Sequence, residues 1–200
     1  MDSDLLRKYL HRQTTSGKAG VTITVDWHSL GTQGGHVEIV EHSPEWPLAF
    51  ERESAAIREA CGPWVVEVHH IGSTSVPGLA AKPVLDMMPV AAGPSEAGET
   101  VPRMAALGYQ CLGEYGIPGR LYFEKDVDGR DVAHVHMFPL GHPGIRTHLA
   151  FRDYLRAHPG AARDYERLKR QLAVKHRADR EAYTDAKATF IEGVIAAAMC

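Results

Sequence analysis

The strongest constraint on the fold lies between His69 and Pro89, in the stretch HHIGSTSVPGLAAKPVLDMMP. A β-branched run of Val65, Val66, Val68 and Ile71 stops at Gly72, and a second apolar run from Val84 to Val90 follows Pro83. This order predicts a strand, a glycine-serine turn, a short helix and a second strand, which places the loop at strand ends. Inside the second strand stands Asp86, between Leu85 and Met87. A carboxylate among apolar neighbours is costly to bury without a cation or hydrogen-bond donors, so Asp86 needs a partner.

The turn Gly72, Ser73, Thr74, Ser75 presents backbone N–H groups and three hydroxyls in succession. A helix beginning after it would add its positive end, and such a site favours an anion, most often phosphate. In the competing reading Ser75 only caps a short helix whose first turn contains Pro77. The turn alone does not separate the two. Gly78 and Lys82 lie near one another, but no G-x-x-x-x-G-K-[ST] run exists, which removes a P-loop kinase.

Residues Arg120–Lys125 and Val132–Phe138 read as two strands, joined by a segment whose Asp128-Gly129 pair signals a tight hairpin. The second strand puts His134 and His136 on one face. An H-x-H pair on a strand is a usual way to present two imidazoles to one metal or one anion. If this strand neighbours that of Asp86, two histidines and one carboxylate converge, a set that suits Zn²⁺, Mn²⁺ or Fe²⁺ better than Mg²⁺. The alternative leaves one imidazole capping a backbone group and the other solvated. His69 and His70 point to opposite faces of their strand, and each reads first as a core or surface residue.

Pro44 opens a helix whose buried stripe is Trp46, Phe50, Ile57 and Leu48, with Glu51, Arg52, Glu53, Arg58 and Glu59 toward water. Gly62-Pro63 stops it. AAGPSEAGE reads as a loop leading into a helix that ends near Leu107, with Gly108 as its stop. GEYGIPGR is either a flap or a plain hairpin connection. Between Arg146 and Arg180, ten Lys or Arg meet four Asp or Glu. Three helices are expected there and beyond: 147–158, 160–178 and 179–199, with Pro159 between the first two and Asp179 capping the last. Arg163, Arg167 and Arg170 share one side of the middle helix and read as a solvated face. Tyr183 and Lys187 lie one turn apart on the last.

IGSTSVPGLAAKPVLD resembles the signature of the GrpB family, also called UPF0157, which is classified among nucleotidyltransferase-like folds. The likeness extends to VEIVEHSPEWPLAFERE, AHVHMF, HLAFRDYLRAHP, RDYERLKRQLA and YTDAKATFI, and so spans residues 37 to 193. It implies an α+β domain over 37–200: a mixed, mostly antiparallel sheet flanked by helices, with a helical C-terminal section. It also implies a metal-assisted nucleotidyl or phosphoryl transferase acting on an unknown acceptor. In that reading Gly72, Ser73, Thr74 and Ser75, with Lys82 and Lys187, hold a nucleoside triphosphate. Asp86, His134 and His136 bind a divalent metal, Mg, Mn or Zn, and carry catalysis. Active nucleotidyltransferases carry a second acid two residues after the first; here that position is Met88, which cannot ligate a hard cation. The alternative implied by this departure is a catalytically inactive module that keeps the nucleotide or phosphate pocket.

Two hundred residues with 44% hydrophobic content suffice for one domain with a sizeable core. A formal charge of −3 argues against general attraction to nucleic acid or membranes; the expected partner, a small nucleotide or phosphate compound, is what the loop and the family resemblance imply. Cys61, Cys111 and Cys200 show no disulfide spacing, and neither C-x-x-C nor H-E-x-x-H occurs. No signal peptide or membrane-length apolar run is apparent, so a cytoplasmic location is expected. Residues 1–36 read as an extension, weakly ordered or an extra strand: Leu5–Arg12 as a short helix, VTITV as a strand, HSLGTQGGH as a link. Oligomeric state has no signal in the sequence.

Overall fold

The computed structural model describes residues 27–33 and 36–200. The helix expected at Leu5–Arg12 and the strand expected at VTITV lie outside the described residues. Strands β1 (Thr32–Gln33), β2 (Val65–Ile71), β3 (Leu85–Ala91), β4 (Tyr109–Cys111), β5 (Leu121–Val127) and β6 (Arg130–Pro139) form one sheet of order β2-β3-β6-β5-β4, with β1 paired to β6. Only the β3–β6 pair is parallel. The mixed, mostly antiparallel sheet is therefore the expected one. Thr32–Gln33 was expected in a flexible link; it pairs instead with Asp131 and Arg130.

Strand alternation decides what each sheet face carries. Leu85, Met87, Phe123, Ala133, Val135 and Met137 point to one face and are buried against helices α1 (Glu45–Cys61) and α2 (Pro94–Ala106). The intervening residues Asp86, Glu124, His134 and His136 take the other face, together with Met88 and Phe138, which pack with Ile71. The β5–β6 turn has Asp128 and Gly129 at φ 53° and 74°, the left-handed pair that a two-residue hairpin requires.

Helix α1 buries Trp46, Ala49, Phe50, Glu53, Ser54, Ile57 and Cys61, an i, i+3/i+4 stripe. Leu48 falls off that stripe and is exposed. Glu53 falls on it, and the expectation that it faces water is corrected: it is 2% exposed and accepts from Lys125 Nζ at 2.6 Å and Tyr109 OH at 2.8 Å. A buried carboxylate is tolerated there because two donors reach it.

No α-helix follows the Gly72 loop. A single 3-10 turn, Ser73–Ser75, is ended by Pro77 and by Gly78 at φ 75°. Helix α2 starts at Pro94, earlier than the loop reading of AAGPSEAGE allowed. The C-terminal section comprises α3 (Pro143–Ala157), α4 (Pro159–Lys175), α5 (Arg180–Asp185) and α6 (Ala188–Met199). Asp179 caps α5 by accepting from Ala182 N at 2.9 Å. The single last helix expected over 179–199 is broken at Ala186-Lys187, where the Lys187 N–H bonds back to Thr184 instead of four residues back. Among the described residues no helix is long and apolar enough to cross a membrane.

Candidate functional site

Between the polar sheet face and the C-terminal helices lies a cavity of about 1080 Å³. Its floor is Asp86, Glu124, His134 and His136; one rim is Gly72-Ser73, and the far wall is α4, α5 and the start of α6. Parallel pairing sets Asp86 directly opposite His134. Gly72 has φ 66°, and a Cβ there would lie 2.3 Å from Asp86 Oδ2. Only glycine permits this approach of loop to carboxylate.

Asp86 Oδ1 lies 3.3 Å from His134 Nδ1 and 4.0 Å from His136 Nε2. Which protons those rings carry follows from what lies behind them. Arg180 places NH2 2.6 Å from His134 Nε2, and Arg120 places NH1 3.1 Å from His136 Nδ1. A guanidinium only donates, so His136 Nδ1 accepts, whereas His134 Nε2 lies 3.0 Å from Asp131 Oδ2 as well and so faces a donor and an acceptor together. The His136 N–H is then on Nε2, the nitrogen on the Asp86 side, while His134 lies between Asp86 and Asp131. Burial alone would raise the Asp86 pKa, but the His134 hydrogen bond, with the charges around it including Lys82, holds the carboxyl well below its usual range. Burial lowers His136 to about 3.

The same argument tests the metal reading. A coordinating imidazole must offer a lone pair; that of His136 faces Arg120, and the two ring nitrogens of His134 are engaged by Asp86 on one side and by Asp131 and Arg180 on the other. Among the described residues no group of three His, Cys, Asp or Glu side chains is arranged to hold a metal ion. Asp86, His134 and His136 meet, but as a hydrogen-bonded anion site and not as a ligand set. Met88, at the position of the missing second acid, is fully buried against Ile71 and Phe138.

Of the loop, Gly72 and Ser73 line the cavity, as does Tyr165. Thr74 and Ser75 do not. Thr74 is buried against His70, its Oγ1 3.0 Å from Nε2, and Ser75 Oγ donates to Gly72 O at 2.6 Å. Their hydroxyls close the turn, which corrects their assignment as ligand groups. His70, stacked on Phe50, is a core residue. Arg156 clasps the turn from outside, donating from Nε and NH2 to Ser75 O.

The cavity gathers cations together with acids, since Asp86, Glu124, Glu181 and Asp185 also line it and Lys82 lies 3.8 Å from Asp131 Oδ2. Lys82 and Lys187 line it, as do Lys169 and Arg180, which were not singled out from the sequence. Arg180 is paired with Asp131 at 2.9 Å and Glu124 at 3.3 Å. Lys169, 2% exposed, donates to Ala80 O, and burial, then the neighbouring Lys187, lowers it to about 7. Burial, then Lys82, lowers Lys187 to about 8. Its ammonium lies 4.2 Å from the Tyr183 ring centroid and lines the cavity. A signal for Lys169 existed in the sequence: it stands one turn after Tyr165, inside an otherwise apolar stripe. The expected positive face of α4 is partly neutralised, Arg167 by Asp164 and Arg170 by Glu41 and Glu166.

Comparison with known proteins adds the lineage. The family model described as GrpB protein matches residues 36–197. The UPF0157 protein YqkA of Bacillus subtilis is 44% identical over 140 residues, which are 70% of this chain and 40% of that relative, so the chain spans less than half of it. The crystal structure of conserved protein GrpB from Enterococcus faecalis superposes with a TM-score of 0.76 at 36% identity, over 81% of this chain and 97% of that one. A dephospho-CoA kinase of Mycolicibacterium paratuberculosis is 30% identical over 189 residues, covering 80% of this chain and 46% of the kinase.

Proposed function

The chain belongs to the GrpB family, and from that premise we propose that its cavity binds a small molecule carrying a chain of phosphates, a nucleoside triphosphate being the candidate suited to a nucleotidyltransferase-like fold. The observation that carries this reading is the convergence of Lys82, Lys169 and Lys187 in one cavity, with two of them lowered to about 7 and 8. Crowded, half-desolvated ammonium groups repel one another, and a polyanion relieves that repulsion. Ser73 and the Gly72 backbone lie on the rim that such a ligand would meet.

The residues do not fit a metal-assisted mechanism built on Asp86, His134 and His136, since among the described residues no three such side chains are arranged to hold an ion and both imidazoles are engaged by arginines and carboxylates. Binding without turnover is therefore the reading favoured, and Met88 agrees with it. That the matched region makes up 46% of a dephospho-CoA kinase supports an accessory role, because there it accompanies further sequence. Transfer chemistry is the second reading, favoured by one feature: an ionised Asp86 at the loop, where the reacting end of a phosphate chain would lie.

Equilibrium dialysis with labelled ATP, GTP, CTP, UTP and tripolyphosphate, with and without Mg²⁺ or Mn²⁺, tests both. The expected result is saturable binding, weakened about tenfold or more by Lys187→Met, without pyrophosphate release. Release that disappears in Asp86→Asn would instead establish the transferase. Failure of every phosphate compound to bind would refute the binding reading and the transferase reading together.

A further inference from the structure

One wall of the cavity differs chemically from the rest. The connection from β4 to β5 crosses the cavity mouth and places Tyr115 and Gly116 in the lining. Tyr115 is 62% exposed, the most exposed aromatic ring among the described large hydrophobic residues. One face of its ring lies parallel to Tyr122, 4.8 Å between centroids at 9°, while Tyr122 itself is buried beside His134 and His136. The second face of Tyr115 is left bare.

The backbone holds this ring out at a cost. Tyr115 has φ 45°, a region in which a bulky aromatic is an outlier. Such a conformation persists only where its surroundings over-determine it, and here they do. Arg120 donates from NH2 to Tyr115 O at 2.5 Å and from Nε to Glu114 O at 3.2 Å, and Glu114 Oε1 accepts from Gly119 N at 2.6 Å. Arg120 is itself 5% exposed and bound to His136, so the loop is tied to the floor of the cavity.

A strained, firmly held segment whose product is a flat, solvent-bare aromatic face at the mouth of a lysine-lined cavity has one economical use. We infer that Tyr115 is the platform on which the planar base of a nucleotide stacks, with the phosphates reaching inward to Lys82, Lys169 and Lys187. This rests on the phosphate reading above and deepens it: the ligand is a nucleotide and not a bare phosphate compound. Stacking accepts any base because each has a π-face, so the four nucleoside triphosphates bind with closely similar affinity.

The test compares ATP with tripolyphosphate on the full chain, by calorimetry, for wild type, Tyr115→Asn and Tyr115→Phe. Asparagine tolerates a positive φ, so it removes the ring without straining the loop. Tyr115→Asn is expected to weaken ATP about tenfold and to leave tripolyphosphate binding unchanged, which also shows that the variant is folded. Tyr115→Phe keeps ATP affinity within about twofold. Equal ATP affinity for wild type and Tyr115→Asn overturns the platform while leaving the phosphate site standing. So does an equal loss for ATP and tripolyphosphate in Tyr115→Asn. If wild type binds neither compound, the phosphate reading falls and the platform with it.

Discussion

Replacing Lys169 by methionine should stabilise the protein while damaging its site. The ammonium is 2% exposed, donates to Ala80 O and lies 4.8 Å from the Tyr165 ring centroid, and burial with the nearby Lys187 lowers it from 10.5 to about 7. A gap of that size corresponds to roughly 4–5 kcal/mol borne by the folded state when the group is charged. The folded pKa lies below the unfolded one, so this cost is complete below pH 7 and fades as pH rises toward 10.5. Methionine keeps the length of the stem and gives up the bond to Ala80 O, a loss of about 1–3 kcal/mol. The net expectation is a gain of about 1–4 kcal/mol at pH 7. Urea unfolding reads it as a raised midpoint with an unchanged slope, and at pH 10 the gain should vanish or reverse. Tripolyphosphate affinity should fall about tenfold in the same variant. A lower midpoint at pH 7, or an equal gain at both pH values, would refute the assignment of Lys169 as a charge held in the fold for a ligand.

Gly72→Ala should cost about 2–4 kcal/mol in urea unfolding, because φ 66° disfavours a side chain and the new Cβ would overlap the Asp86 carboxylate. An unchanged midpoint would mean that loop and carboxylate are not in contact. Glu53→Ala should cost about 3 kcal/mol or more, since it strands Lys125 and the Tyr109 hydroxyl in the core; thermal unfolding measures it, and a Tm within a degree of wild type would contradict the buried pair. Polyphosphate affinity at fixed salt should fall steadily from pH 6 to pH 9 as Lys169 and then Lys187 lose their protons. A flat profile would exclude both lysines from the ligand.

Much of this arrangement was legible in the sequence because it depends on strand alternation. The spacing of His134 and His136, the apolar neighbours of Asp86 and the Asp128-Gly129 turn each fix a face or a register locally, and β3 and β6 do lie side by side. What escaped depends on partners far along the chain. Glu53 reads as a solvated acid until Lys125, 72 residues away, is placed against it. The imidazoles could be read as metal ligands until Arg120, Arg180 and Asp131 are found behind them, engaging the ring nitrogens that a metal would need. Thr74 and Ser75 read as ligand hydroxyls, but short-range bonds to His70 and Gly72 engage them first. The break at Ala186-Lys187 has no proline or glycine to announce it, yet it is this break that precedes the turn of Lys187 into the cavity.

Lys169 and Lys187, unlike Lys82 beside Asp131, form no ion pair among the described residues until a ligand arrives, and proton uptake on binding tests this most directly. Calorimetric titration of ATP at pH 8 in buffers of different ionisation enthalpy measures it, at a pH where the phosphates are already ionised. With Lys169 near 7 and Lys187 near 8, pairing with phosphate should draw about one proton per ligand from the buffer. That uptake should shrink in Lys169→Met. Binding with no proton uptake, or uptake unaffected by the substitution, would contradict the claim that these lysines hold the phosphates.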